Sequence, residues 1–166
     1  MQTDLYVSLA EVALALVGFA ALVGAFRSSL DSQKPHEAIA LQMLVEISLT
    51  AFLLSLLPVA LSEFFREPER LWRTCSAVAA ALIFAHVSSG LVRSRRMGVP
   101  ARFRLVMFPT VLMAIGFAFL NLLNSAQLLS GVSEGPFRGA VVIQLVCASW
   151  FFFIRFFLSE SDETAV

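Results

Sequence analysis

The chain has few charged residues. Lysine, arginine, aspartate and glutamate together make up 14% of its 166 residues, whereas about a quarter of a typical soluble domain is charged. The twelve basic and twelve acidic side chains cancel to a formal net charge of zero. This balance excludes a nucleic-acid-binding protein with a strongly basic face. The small number of charged residues also argues against a water-soluble globule, whose surface needs more of them.

Cysteine and histidine are also scarce, with two residues of each type. Two cysteines exclude a disulfide scaffold and a thiolate metal cluster. No HExxH pattern or second histidine in a span accompanies His86, and the sequence contains no nucleotide or cofactor motif. We therefore predict no metal site, no cofactor and no enzyme activity. A pairing of Ser48 or Ser55 with His86 is the best available nucleophile and base, and it is generic.

Apolar residues, by contrast, make up 58% of the chain. A transmembrane helix needs roughly 20 mostly apolar residues, and helices are the form that leaves no backbone group unpaired in lipid. Five segments, which together hold 115 residues and only five charges, meet this requirement: 5–26, 38–61, 72–92, 105–130 and 137–158. The sequence therefore predicts an all-α fold, a polytopic integral membrane bundle of five transmembrane helices. Residues 1–166 are predicted to form a single transmembrane helical domain with no soluble domain.

The basic residues predict an orientation. Eight lysines and arginines lie on the side of loops 27–37 and 93–104, and four lie on the opposite side. Because basic loops stay in the cytoplasm, we predict an N-terminus outside and a cytoplasmic C-terminus. Eleven arginines against one lysine are typical of a GC-rich bacterial genome, which favours the bacterial inner membrane. Five arginines are predicted to contact anionic lipid: Arg93, Arg95, Arg96, Arg102 and Arg104.

Two acidic residues lie inside predicted spans, where a charge costs several kcal/mol. Glu11 lies in the first span on a helix face of small residues, and this face is either a packing seam or a site for a proton or cation. Glu46 lies in the second span with Gln42 and Thr50 one turn away on each side. Residues four positions apart share a helix face, so this polar stripe is predicted to face the bundle or a wet cavity.

The other spans contribute further polar residues. His86 could exchange protons with Glu46 if the two were adjacent. Asn121 and Asn124 could hydrogen-bond neighbouring helices or line an outer vestibule. Arg155 could extend toward lipid headgroups or pair with Glu46. The full set of candidates for an ion or proton path is Glu11, Glu46, His86, Asn121, Asn124, Gln42, Thr50, Gln144 and Arg155.

These residues favour an oligomeric channel or transporter for protons, ions or a small solute that uses intramembrane carboxylates. Glu46 would attract the cation or proton, and Glu11 with Asn121 would form an outer site. The implied partners are the lipid bilayer and further copies of the chain or another membrane protein, with no nucleic acid. The alternative is a non-catalytic accessory or assembly subunit of a larger membrane complex, in which the polar residues only join helices.

Overall fold

A computed structural model describes residues 3–28, 35–96, 98, 101–129 and 133–161, with side chains described at 4–23, 41–96, 98, 105, 107–129 and 133–153. Within this part of the chain there are five helices and no strand. The helices are α1 (Thr3–Ser28), α2 (Pro35–Leu61), α3 (Pro68–Arg96), α4 (Ala101–Ser125) and α5 (Gly135–Ser161). The predicted all-α fold is confirmed.

Each helix contains a segment that is long and apolar enough to cross a membrane, so the five-helix membrane bundle is confirmed as well. The boundaries differ from the predicted spans because the helices continue beyond their apolar segments. Pro68 begins α3, where its missing N–H group has no cost. Arg93, Arg95 and Arg96 lie in the last turn of α3, where positive charge is favourable at the negative end of the helix dipole.

Helix α4 ends at Ser125, five residues before the predicted end of the fourth span. Gln127, two residues later, has a positive φ of 60°, and a left-handed residue just past a helix C-terminus is a common way for a helix to stop. Which end of the bundle faces the cytoplasm, and which membrane holds it, stay predictions.

Helix α5 lies in the middle of the bundle. It contacts the other four helices, while α1 packs along α2 and α3 packs along α4. Helix α2 also packs against α3, but among the described residues the backbone of α4 does not come close to that of α1 or α2. We call the end of the bundle where α3 terminates the basic end, and the end with the connections 62–67 and 126–134 the opposite end.

Two glycines allow close contact between neighbouring helices. A Cβ atom on Gly139 of α5 would lie 2.4 Å from Cε1 of Phe117 on α4. A Cβ atom on Gly90 of α3 would lie 2.8 Å from Cε of Met43 on α2. Glycine is therefore required at position 139 unless the Phe117 ring moves, whereas the flexible end of Met43 could shift away from a side chain at position 90 at little cost. Small residues are common where membrane helices pack closely.

Candidate functional site

The most highly charged contact between two helices joins α2 to α3 near the basic end. Arg93 donates two hydrogen bonds to the Glu46 carboxylate, from Nη1 to Oε1 at 2.6 Å and from Nη2 to Oε2 at 2.8 Å. This fork-to-fork geometry is the strongest form of an arginine–carboxylate contact. Gln42 adds a third hydrogen bond, from its Nε2 atom to Glu46 Oε1 at 2.9 Å. The predicted stripe of Gln42 and Glu46 therefore faces α3.

His86 completes this cluster from the inner part of α3. Its Nδ1 atom lies 3.8 Å from Glu46 Oε2, so the two titratable groups that were expected to exchange a proton are neighbours. The side chain of His86 is 13% exposed, against 30% for Glu46 and 27% for Arg93. We call Gln42, Glu46, His86 and Arg93 the charged cluster. Thr50 is outside it, because its hydroxyl donates to the Glu46 backbone carbonyl on the same helix at 2.8 Å.

The other predicted lipid-contacting arginines differ from Arg93. Arg93 was expected to contact anionic lipid; it binds Glu46, and its contact with lipid stays a prediction. Arg95 and Arg96 are exposed at the end of α3, so their contact with lipid stays a prediction. The side chains of Arg102, Arg104 and Arg155 lie outside the described residues. The Glu46 carboxylate, which was one of two alternative partners considered for Arg155, holds Arg93.

A cavity of about 210 Å³ lies beside the charged cluster, between α2, α3, α4 and α5. Its wall is mostly apolar, and His86 belongs to both the cavity wall and the cluster. Gln144 of α5 also lines the cavity and is only 3% exposed. Within the described part of the chain, the Nε2 atoms of His86 and Gln144 are buried and have no hydrogen-bond partner. Such unpaired buried groups are uncommon and call for a physical explanation.

The two asparagines of α4 join helices at the opposite end. Asn121 Nδ2 donates to the carbonyl of Pro136 on α5 at 2.8 Å. Asn124 Nδ2 donates to Ser76 Oγ on α3 at 2.8 Å and to the Ser133 carbonyl at 3.0 Å, and Asn124 Oδ1 accepts from the Ser133 amide at 3.2 Å. These bonds fix the connection between α4 and α5, and they agree with the interhelical interpretation rather than with a vestibule lining.

A second polar contact at the opposite end was missed from the sequence. Tyr6 of α1 is fully buried between the rings of Trp72 and Phe137, each with its centroid 6.1 Å from the tyrosine ring. Its hydroxyl donates to Glu134 Oε1 at 3.0 Å, and Arg138 binds the same carboxylate oxygen. The spacing of Glu134 and Arg138 by one helical turn was the available signal, since it predicts an ion pair. The tyrosine partner is 128 positions away.

Glu11 is separated from all of these groups. It is exposed on the outer surface of α1, where it makes no hydrogen bond or ion pair with another described residue. Asn121, its expected partner, is fully buried on α4, and within the described part of the chain the backbones of α1 and α4 do not approach each other closely. The predicted outer site of Glu11 with Asn121 is therefore not formed within one chain.

No known protein family, curated protein or solved structure matches the chain. The functional interpretation therefore rests on the charged cluster and the cavity. The cluster brings a carboxylate, a guanidinium and an imidazole together on two neighbouring helices. It holds one negative and one positive charge next to each other between α2 and α3, with a titratable imidazole 3.8 Å from the carboxylate.

Proposed function

We propose that this membrane protein is a channel or transporter that moves protons, with Glu46 and His86 as the groups that hold the proton inside the bundle. The observation that carries the proposal is the 3.8 Å separation of His86 Nδ1 from Glu46 Oε2, with His86 also lining the cavity. Ionisable side chains inside a membrane protein are costly, and they are typical of proton relays. A helix–helix tie alone would need only Glu46 and Arg93.

The two nitrogens of His86 face different surroundings. Nδ1 lies toward the Glu46 carboxylate, and Nε2 is buried in a side chain that lines the cavity. An imidazole can accept a proton at one nitrogen and release one from the other. Arg93 offsets the negative charge of Glu46, so the charged cluster has no net charge when His86 is neutral. This arrangement supports a proton step between Glu46 and His86.

We place the remainder of the path at an interface between copies of the chain. The side-chain amide groups of Asn121 and Asn124 donate hydrogen bonds to neighbouring helices at the opposite end, and neither asparagine lines the cavity. A homo-oligomer would add polar or hydrated surface without enlarging the five-helix bundle. The cluster would then be repeated once in each subunit.

Proton flux into liposomes tests this function. Purified protein would be reconstituted with a pH-sensitive dye inside the vesicles, and a membrane potential would be imposed to drive proton entry. We expect wild-type vesicles to acidify faster than protein-free vesicles, and Glu46→Gln or His86→Asn to bring the rate close to that of protein-free vesicles. Glu67→Gln is the matched control, because Glu67 is a 64% exposed residue of the connection 62–67 and should leave the rate unchanged. Folded wild-type protein that conducts no protons would refute the proposal.

Glu11 favours a second candidate, an accessory or assembly subunit of a larger membrane complex. Its carboxylate is exposed on a span of α1 without a described partner, and the small residues Ser8, Ala15 and Gly18 are exposed beside it. A helix of a partner membrane protein could pack closely on this face and hydrogen-bond the acid. Cross-linking in the native membrane, followed by mass spectrometry, separates the candidates. A homomeric ring supports transport, and a stoichiometric foreign partner that is lost in Glu11→Leu supports the accessory role.

A further inference from the structure

We propose that the cavity between α2, α3, α4 and α5 is a binding site for a small, mainly apolar molecule that carries one hydroxyl group and reaches the site from the bilayer. The cavity measures about 210 Å³. An apolar protein cavity of about 150 Å³ takes up benzene. The volume therefore suits a single substituted aromatic ring or an aliphatic molecule of similar size.

The wall of the cavity sets the apolar character of the ligand. Most of its side chains are aliphatic, aromatic or thioether groups, including Met43, Ile47, Ile83, Met107 and Phe151. Ligand sites commonly combine such a wall with a small number of polar groups that fix the orientation of the ligand. A charged or highly polar solute would lose its hydration here without replacement.

The two unpartnered nitrogens set the polar group of the ligand. Gln144 Nε2 is an amide donor that needs an acceptor, and leaving such a group unpaired in the interior is unfavourable. In a neutral imidazole whose Nδ1 carries its proton toward the Glu46 carboxylate, Nε2 is an acceptor that needs a donor. A hydroxyl group can both accept and donate, so one hydroxyl on the ligand can satisfy either side chain. A ketone or ether oxygen could satisfy only Gln144.

The position of the opening sets the route of access. Leu91 on α3 and Phe108 on α4 line the cavity and are 46% and 60% exposed on the outer surface of the bundle. Both residues lie in apolar membrane-spanning helices, Phe108 within the candidate span Met107–Ser125. The cavity therefore reaches the surface that lipid covers in a membrane. A ligand that partitions into the bilayer can pass between α3 and α4 without crossing a polar end of the bundle.

Two fluorinated probes of nearly equal shape test the site. Fluorine NMR of 4-fluorophenol and 4-fluorotoluene would be recorded with the full chain in detergent micelles and with micelles alone. We expect a saturable, protein-dependent shift for 4-fluorophenol. Gln144→Met should weaken 4-fluorophenol binding about fivefold, the effect of one net hydrogen bond, and should leave 4-fluorotoluene binding unchanged. Wild type and Gln144→Met are compared with the same probe, so partition of the probe into the micelle affects both binding constants equally and cancels from their ratio.

A cavity-filling variant keeps the test independent of Gln144. Ala114 lines the cavity from α4 and is 9% exposed, so Ala114→Leu should fill the space and abolish binding of both probes. Ala81→Leu makes the same change at an exposed position of α3 outside the cavity wall and should bind like wild type. Absence of a saturable shift, or full binding by Ala114→Leu, would overturn the site. An equal loss of both probes in Gln144→Met would overturn the hydroxyl preference.

This binding is measured without a gradient or flux, so its outcome is separate from that of the proton-transport assay. Saturable probe binding by a protein that conducts no protons would support the site and reject the proposed transport. Proton conduction that depends on Glu46, with no probe binding, would reject the site alone.

Discussion

The contact between Glu46 and Arg93 should be a major source of the stability of the α2–α3 interface, and a double-mutant cycle can measure it. The perturbations are Glu46→Gln, Arg93→Gln and the double variant. Exposed ion pairs contribute up to about 1 kcal/mol, whereas removal of one partner from a fully buried pair costs about 3–5 kcal/mol. The two side chains are 30% and 27% exposed and share two short hydrogen bonds. We therefore expect a coupling free energy of about 2 kcal/mol, between these limits.

The assay is equilibrium unfolding of the purified protein in mixed micelles with increasing denaturing detergent. Glu67 and Arg70 form a matched control pair, since their shortest N–O separation is 2.6 Å, equal to that between Arg93 and Glu46. The control side chains are 71% exposed for Arg70 and 64% exposed for Glu67, so their coupling should stay below about 1 kcal/mol. A coupling for Glu46 and Arg93 no larger than that of the control pair would refute the view that partial burial strengthens this contact.

Three further substitutions probe helix packing and the connections, each by unfolding in the same micelles. Gly139→Ala should cost about 1–3 kcal/mol because its Cβ atom would overlap a phenylalanine ring of α4. In the control Gly116→Ala, the new Cβ atom has no other atom within 4 Å, so the change should be neutral or slightly stabilising. Equal effects would argue against the close approach of α4 and α5. Asn124→Ala should cost about 2 kcal/mol, since it removes three hydrogen bonds. Ser125→Ala removes only a side-chain hydrogen bond to its own helix and should cost less. A larger loss of stability in Ser125→Ala than in Asn124→Ala would contradict the assigned contacts. Gln127→Gly should stabilise the protein by about 0.5 kcal/mol because glycine adopts the positive φ of 60° without strain, and a loss of stability would show that the glutamine side chain contributes more than its backbone costs.

The fold follows from the sequence because the bilayer imposes a simple rule on the distribution of charge. Five apolar segments almost free of charge predict five helices, and the structure contains them. The helix ends are less predictable, since α3 continues into charged residues whose backbone bonds are stable at a membrane surface. Helix α4 ends early for a local reason, the left-handed conformation of Gln127.

The charged cluster is harder to predict from the sequence than the fold, because it depends on how the helices are placed beside one another. A spacing of four residues correctly placed Gln42 and Glu46 on one face of α2. The partner of Glu46 is 47 positions away, and its identity depends on the relative depth and rotation of α2 and α3, which hydropathy does not specify. Arg93 was grouped with the arginines of the basic loop, although it lies in the last turn of α3.

Glu11 is a second example of a residue whose environment the sequence does not predict. Its helical spacing correctly groups it with small residues on one face of α1, but periodicity does not show whether that face points into the bundle. The structure places Glu11 outside and Glu46 against a partner helix. Two acids at similar positions in apolar spans therefore have different environments, and only tertiary packing separates them.

The central position of α5 constrains the order in which the protein can assemble. The chain is synthesised from its N-terminus, so α1 with α2 and α3 with α4 can associate as hairpins of sequence neighbours before α5 enters the membrane. Helix α5 supplies Gln144 and Phe151 to the cavity wall and contacts both hairpins. Until it inserts, the interior of each hairpin remains open to lipid and the cavity does not exist. The fifth helix thus completes a bundle whose two hairpins are already joined by the contact between α2 and α3.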